Sequence, residues 1–340
     1  MTPRASASNV PTIILDCDPG IDDAFALLYL SALHHAGEIN LVAVTTTAGN
    51  TTVENTARNA AWVLAQCAPQ NAAHNYNAAH NYNSAPAIPV AMGHPRPLQV
   101  PLETTPETHG PTGLGYATST WPNAASSATN WQKTWADALH SHDDVHLIIT
   151  GPATNAAVFA EGNPELFARF DAITVMGGSV NYPGNTTPTA EWNFWVDPHA
   201  AQYLFEATAV PITLCSLEVT EQMLLTPARL RKLQDAIPDT KQTKWLEEIS
   251  RFYFEFHDSV DEGYQAQIHD LLTVMVAVGT VDVIAQPTYV TVVADSVLLR
   301  GTSIADLKNH WKKPPNARLV QHADIPGAFA ELYRAARYLG

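Results

Sequence analysis

Basic residues are what this chain has least of. Eighteen Lys and Arg stand against 33 Asp and Glu in 340 residues, a formal net charge of −15. There is no long basic run; Arg229-Leu230-Arg231-Lys232 reads as one solvated helix face. A nucleic-acid partner normally leaves a basic footprint, and none is visible. A phosphorylated substrate would find few countercharges, so a neutral substrate or a metal cation suits the balance better. Cysteine is scarce too. Cys17, Cys67 and Cys215 are odd in number and share no paired spacing, which reads as buried thiols in a reducing compartment. No apolar stretch reaches the roughly 20 residues of a membrane span. The first twelve residues lack the apolar segment of about 7–15 residues that marks a secretory signal. The expectation is a soluble, cytoplasmic protein with no membrane partner.

Apolar residues are not scarce: 46% of the chain is hydrophobic, enough for a sizeable core. Strands are expected at residues 12–16, 41–47, 146–150, 172–176 and 212–216. Helices are expected between them at 22–33, 53–66, 155–160 and 199–207. That alternation with short links argues for an open, mostly parallel sheet flanked by helices. The C-terminal third reads as helix at 241–257 and 269–278, a β region at 288–300 and a last helix from about 327. No linker divides the chain, so residues 1–340 are expected to form one domain. Residues 72–83 hold AAHNYN twice. Two copies are too few for a solenoid, and the pairing of His74 with His80 is read as part of an exposed insertion, 70–86, rather than a metal tract. Residues 92–130, rich in Pro, Gly, Thr and Ser, look like a long loop, and such loops are usually functional or disordered.

The strongest local signal is Asp16-Cys17-Asp18-Pro19-Gly20-Ile21-Asp22-Asp23-Ala24, between the apolar runs Ile13-Ile14-Leu15 and Phe25 to Leu30. Two like charges about 4 Å apart repel by roughly 4 kcal/mol at an effective dielectric near 20. A helix cap is worth about 0.5–2 kcal/mol, so capping accounts for one Asp and not for four. Either some of the acids are protonated or a cation sits among them. Their hard oxygens would suit Ca²⁺ or Mg²⁺ rather than zinc, and the spacing does not fit an EF-hand.

In such sheets the ligand crevice lies beyond the strand C-terminal ends. Three segments fall there: the Asp cluster, Thr45-Thr46-Thr47-Ala48-Gly49-Asn50, and Thr150-Gly151-Pro152. Thr150 is placed either to offer a carbonyl or hydroxyl to an ion or simply to turn the chain. Asp270 either caps the helix that begins His269-Asp270 or reaches the ion, while His269, about 100° round the helix, faces a leaving group. A nearby carboxylate would favour a charged His269, which makes it a plausible acid. Glu191-Trp192-Asn193 suits sugar hydroxyls against an apolar face, or is structural. His109, in His109-Gly110-Pro111-Thr112-Gly113, suggests a mobile lid. Asn50 and Asn185 follow glycines, as turn residues do.

In this order the pieces resemble the inosine–uridine-preferring nucleoside hydrolase family. The match runs from Asp16 to Ala24, through Thr47-Ala48-Gly49-Asn50, His109 with Gly113-Leu114-Gly115, and Thr150-Gly151-Pro152-Ala153-Thr154-Asn155. It continues through Met176-Gly177-Gly178, Gly184-Asn185, Glu191-Trp192-Asn193 and His269-Asp270, and spans roughly residues 12 to 300. The resemblance implies a Rossmann-like α/β nucleoside hydrolase fold, usually homo-oligomeric (dimer or tetramer), with one Ca²⁺ per subunit. It implies calcium ligands at Asp18, Asp23, the Thr150 carbonyl and Asp270, supported from behind by Asp16. Ribose contacts are implied at Asp22, Asn50, Asn185, Glu191 and Asn193, with Met176 beneath the sugar. The implied reaction is hydrolysis of the N-glycosidic bond of a ribonucleoside. Asp18 would act as base for the calcium-bound water and His269 as acid for the departing base. His109 and aromatic residues such as Trp192 or Tyr264 would assist. The family often has Pro after the His-Asp pair; this chain has Leu271. Two other readings compete: a haloacid dehalogenase-type phosphatase, from the D-x-D of Asp16-Cys17-Asp18, and a non-catalytic calcium-dependent nucleoside-binding protein.

Overall fold

The computed structural model describes residues 10–68, 88–122, 130–238 and 243–339. The expected insertion at 70–86, with the AAHNYN repeat and its His74 and His80, lies outside the described residues.

In chain order the first elements are β1 (Thr12–Cys17), α1 (Ile21–Ala36), β2 (Asn40–Thr46), α2 (Val53–Cys67), β3 (Val90–Met92) and α3 (Pro106–His109). There follow α4 (Trp131–Ser141), β4 (Val145–Ile149), α5 (Thr154–Gly162), α6 (Pro164–Phe167), β5 (Ala172–Met176), α7 (Trp192–Val196), α8 (Pro198–Ala207) and β6 (Ile212–Cys215). The chain goes on through α9 (Leu217–Thr220), β7 (Leu224–Leu225), α10 (Pro227–Ala236), α11 (Lys244–Ser259), β8 (Ala266–Gln267) and α12 (His269–Ala277). It ends with β9 (Val283–Thr288), β10 (Val290–Val292), β11 (Ser303–Ala305), β12 (Ala317–Ala323) and α13 (Ile325–Ala335).

Eight strands form one sheet in the order β3-β2-β1-β4-β5-β6-β12-β9. Every neighbouring pair is parallel except β12 with β9. All six residues of β1 are buried, as expected of a strand covered on both faces. One core, on the side of α1, α11 and α12, includes Phe25, Leu28, Trp245 and Leu272. The other, on the side of α4, α5 and α8, includes Trp135, Phe159 and Phe205. The three cysteines are free and buried. Among the described residues no helix is long and apolar enough to cross a membrane.

The five expected strands and the first four expected helices stand within a few residues of their expected ends. The β region at 288–300 does not run its length: β10 ends at Val292, the Leu299 N–H donates to Ser296 Oγ in a turn, and Val297 and Leu298 are exposed. Polar Asp295-Ser296 breaks the apolar pattern there. The loop at 92–130 holds the short helix α3. Helix α4, which no expectation covered, starts at an Asn130 cap that accepts from the Lys133 N–H.

The parallel register decides where chemistry can gather. Asp16 of β1 lies beside Thr45 of β2 and Ile149 of β4, and Ile149 beside Val175 of β5. The segments that follow these strands therefore emerge at one edge of the sheet.

Candidate active site

Helix α1 begins immediately beyond β1, with Gly20 as its N-cap. The Gly20 N–H donates to Asp23 Oδ2 at 3.2 Å, so Asp23 does cap its own helix. Its other oxygen, Oδ1, accepts from Thr150 Oγ1 at 2.7 Å and ties the cap to the end of β4. Asp18 is gripped through one oxygen only: Oδ2 accepts the Asn50 N–H at 2.7 Å, while Asn50 Nδ2 donates to the Asp18 carbonyl at 3.2 Å. Two glycines let neighbouring loops close on this carboxylate. A Cβ on Gly49 would stand 2.1 Å from Asp18 Oδ2, and one on Gly151 would stand 2.8 Å from Oδ1. Behind them, Asp16 Oδ1 accepts from Thr45 Oγ1 at 2.6 Å and from Asn155 Nδ2 at 2.8 Å.

Asp270 arrives on the first turn of α12, and one oxygen from each of Asp22, Asp23 and Asp270 lies within 4.8 Å of the other two. The structure thus brings Asp23 and Asp270 together as the resemblance implies. It adds Asp22, expected on the sugar, as the third member of the trio. Asp18 stands outside the trio, yet its charge acts on Asp270. All these acids are buried. Burial pushes Asp16 and Asp22 up to about 7 and Asp23 up to about 6, and it raises Asp18 and Asp270 strongly, with neighbouring carboxylates adding to most of these shifts. Among the described residues no Lys or Arg pairs with any of them. Asp18 Oδ1 and Asp22 Oδ1 are buried with no hydrogen-bond partner. An all-oxygen donor set with orphaned buried carboxylate oxygens fits a hard divalent cation.

On the sugar side, Asn193 Nδ2 donates to the Thr150 carbonyl at 2.8 Å and lies 3.5 Å from Met176 Sδ. Glu191 is more occupied than expected. It caps α7 by accepting the Asn193 and Phe194 N–H groups, and it also accepts the Gly178 N–H at 2.9 Å. Burial pushes it up to about 7. Trp192 stacks on Trp195 with ring centroids 5.7 Å apart. Asn185 and Tyr264 are exposed: Asn185 Oδ1 accepts the Trp192 N–H at 3.0 Å, and Tyr264 packs 5.2 Å from Phe254.

On the other side stand three histidines. His109 Nδ1 accepts the Ile21 N–H at 3.1 Å, and His269 Nδ1 pairs with Thr220 Oγ1 at 2.9 Å. His257 Nδ1 meets Glu262 Oε2 at 2.6 Å. The Tyr253 ring lies 5.2 Å from His109 and 4.7 Å from His257. Burial pushes both His109 and His269 down to about 3, helped by the neighbouring histidines. A charged His269 was the expectation; its buried setting at the head of α12 favours the neutral ring instead.

The family model for the inosine–uridine preferring nucleoside hydrolases matches residues 13–330. The chain belongs to that family. A pyrimidine-specific ribonucleoside hydrolase RihA of Shewanella sp. (strain MR-7) is 34% identical to this hydrolase over 317 residues, covering 93% of the chain and 92% of the relative. The RihA of Salmonella paratyphi C is 30% identical over 317 residues, covering 93% and 94%. Among solved structures, a purine-preferring ribonucleoside hydrolase from Gardnerella vaginalis superposes with a TM-score of 0.81 at 25% identity, covering 96% of this chain and 99% of that one. The plant nucleoside hydrolase PpNRh1 also gives a TM-score of 0.81 at 25% identity, covering 97% and 99%.

Four residues that position this hydrolase's site were missed in the sequence. Asn155 Nδ2 bridges Asp16 to the Thr46 carbonyl, and its Oδ1 accepts the His94 N–H at 2.7 Å. Asn59 Nδ2 donates to the carbonyls of Pro19 and Thr112, joining the Asp loop to the glycine-rich loop after α3. Tyr253 and His257 sit four apart on α11, one turn, and both are buried. That spacing was the one available signal, and an aromatic face on a helix more often means core.

Proposed function

We propose that this hydrolase cleaves the N-glycosidic bond of ribonucleosides, pyrimidine nucleosides before purine ones, with Ca²⁺ held by Asp18, Asp23, Asp270 and the Thr150 carbonyl. The observation that carries the reading is the presence, among the described residues, of three buried carboxylate oxygens without partners, Asp16 Oδ2, Asp18 Oδ1 and Asp22 Oδ1. An uncompensated buried charge costs several kcal/mol, about 3–5 where a partner is removed, and a cation offsets that cost. When bound, calcium would orient and polarise the oxygens of water and ribose.

The chain's own groups divide the remaining work. Asp18, pinned through Oδ2, offers Oδ1 to take a proton from the attacking water. Asp22 takes sugar hydroxyls, with Asn193 and Met176 beneath. Glu191 acts mainly by holding α7, and so Asn193, in place. Bond breaking develops oxocarbenium character on the ribose. His269 hands a proton to the departing base from Nε2, because its Nδ1 is held by Thr220; the donating form is the imidazolium, which the buried ring reaches as negative charge develops on the base, and the ring returns to its neutral form on donating. The pyrimidine preference is supported by the curated relatives named pyrimidine-specific. A homo-oligomer, dimer or tetramer, working in the cytoplasm completes the proposal.

The test incubates the enzyme with uridine, cytidine, inosine and p-nitrophenyl phosphate, with and without EDTA. Free base and ribose are expected, lost on chelation and restored by Ca²⁺. Phosphate release alone would overturn the reaction. Full activity after exhaustive chelation would overturn the metal.

A further inference from the structure

The backbone of His269 is fixed before its ring is. Leu224-Leu225 of β7 pairs with Ala266-Gln267 of β8, and the Ile268 N–H donates to the Met223 carbonyl at 3.0 Å. His269 therefore enters α12 at a set height, next to Asp270 of the trio. Its ring is not fixed by this. Rotation of an imidazole about its Cβ–Cγ bond has a broad, roughly two-fold profile. A half-turn puts carbon Cδ2 where Nδ1 stood and carbon Cε1 where Nε2 stood, and a carbon has no proton to hand over.

Thr220 removes that ambiguity. It ends α9, the short helix that follows β6, and it is fully buried. Its Oγ1 lies 2.9 Å from His269 Nδ1, across 49 residues of chain. The turned ring would leave a buried hydroxyl without a partner, which is costly. The other ring nitrogen, Nε2, has no hydrogen-bond partner among the described residues. Helix α9 is itself held in place. The Leu217 N–H donates to the Gly178 carbonyl at 3.1 Å, and Glu218 accepts the Val180 N–H at 3.3 Å. Gly178 also gives its own N–H to Glu191, so the mount of the His269 ring and the cap of α7 share one residue.

We propose that Thr220 is a positioning residue: its hydroxyl keeps the His269 ring turned with Nε2 towards the departing base throughout the proton transfer. This rests on the nucleoside hydrolase reading of the site. A hydroxyl both donates and accepts. It gives its hydrogen to a bare Nδ1 and accepts from a protonated one, so the contact survives either state of the ring. The glycosidic bond breaks with its electron pair on the base, the base takes the proton from Nε2, and Nδ1 keeps its own against Oγ1.

Three variants separate the hydroxyl from its bulk. Thr220→Val keeps the shape and Thr220→Ala leaves room, and both lose the hydroxyl; Thr220→Ser keeps it. On uridine the Val and Ala variants should lose about 10–10²-fold in kcat with little change in KM, and the Ser variant should stay within about threefold of wild type. 4-Nitrophenyl β-D-riboside has a leaving group that departs without a proton, so the Val and Ala variants should lose far less on it. Activity on uridine that follows size, with Val above Ser, would overturn the proposal. Equal losses on both glycosides, or weakened Ca²⁺ binding in calorimetry, would mark a disturbed site and overturn it too. The Ala and Ser variants decide alone if the Val variant does not fold. Failure of the wild type to turn over either glycoside would instead overturn the function proposed for the site.

Discussion

A single carboxylate shows how far a residue's role depends on which of its atoms are taken. Asp23 spends one oxygen on the Gly20 N–H and the other on Thr150, whereas Asp18 spends one and leaves Oδ1 without a partner. Asp18→Asn keeps the shape and removes the charge. It should abolish turnover and weaken Ca²⁺ binding in calorimetry, with the thermal transition retained. Asp22→Ala should keep most of the ion affinity and raise KM for uridine. Loss of the ion in that variant would make Asp22 a ligand, as its place in the trio allows. His269→Ala should lower kcat by about 10²–10⁴-fold with little change in KM. The acids were legible in the sequence because four of them in one turn have no cheap structural explanation. Glu191 was not, because a sugar-binding carboxylate and a helix cap look alike until the Gly178, Asn193 and Phe194 N–H groups are seen around it. The charged state expected for His269 came from its neighbour Asp270, which is visible in the chain, while the burial that favours the neutral ring, helped by His257 and His109, arises only through the fold.

At the scale of elements, the strands were the most readable feature, since a strand buried on both faces leaves an unbroken apolar run. The loops that make the site work were much less so. Their order depends on side chains from distant elements, above all Asn59 on α2 and Asn155 on α5. Asn59→Ala would strand the Pro19 and Thr112 carbonyls and release Ser119 Oγ, which donates to Asn59 Oδ1 at 2.6 Å. A cost of about 1–3 kcal/mol is expected, read as a lower thermal midpoint. Because its bond to the Thr112 carbonyl holds the loop after His109, KM for uridine should rise as well. An unchanged KM beside a lowered midpoint would confine Asn59 to stability. The antiparallel β9 was hidden by Pro287 within it, a residue tolerated at the edge of the sheet, where β9 lies.

Across the whole molecule the buried acids tie stability to pH and to the ion. Asp16, Asp22 and Glu191 are pushed up to about 7 and Asp23 to about 6, against ordinary values of 3.8 for Asp and 4.5 for Glu. Each holds its proton more tightly folded than unfolded, so folding without metal takes up protons between about pH 4 and about pH 7. Stability of the chelated enzyme should therefore fall as pH rises through that window. Calcium requires its ligands deprotonated, so its stabilising effect should grow over the same range. Melting curves from pH 5 to 8 with EDTA and with Ca²⁺ test this, and two parallel lines would sink the coupling. The acids also come from distant points on the chain, Asp16 to Asp23 near its start and Asp270 far towards its end. During synthesis the early carboxylates leave the ribosome well before Asp270 does. The nascent chain must carry that crowded charge without its last ligand, and a product truncated before Asp270 never completes the trio. An ion that needs the whole trio, calcium in the proposed function, is captured only once the chain has passed Asp270, so its binding would report on completeness as well as on catalysis.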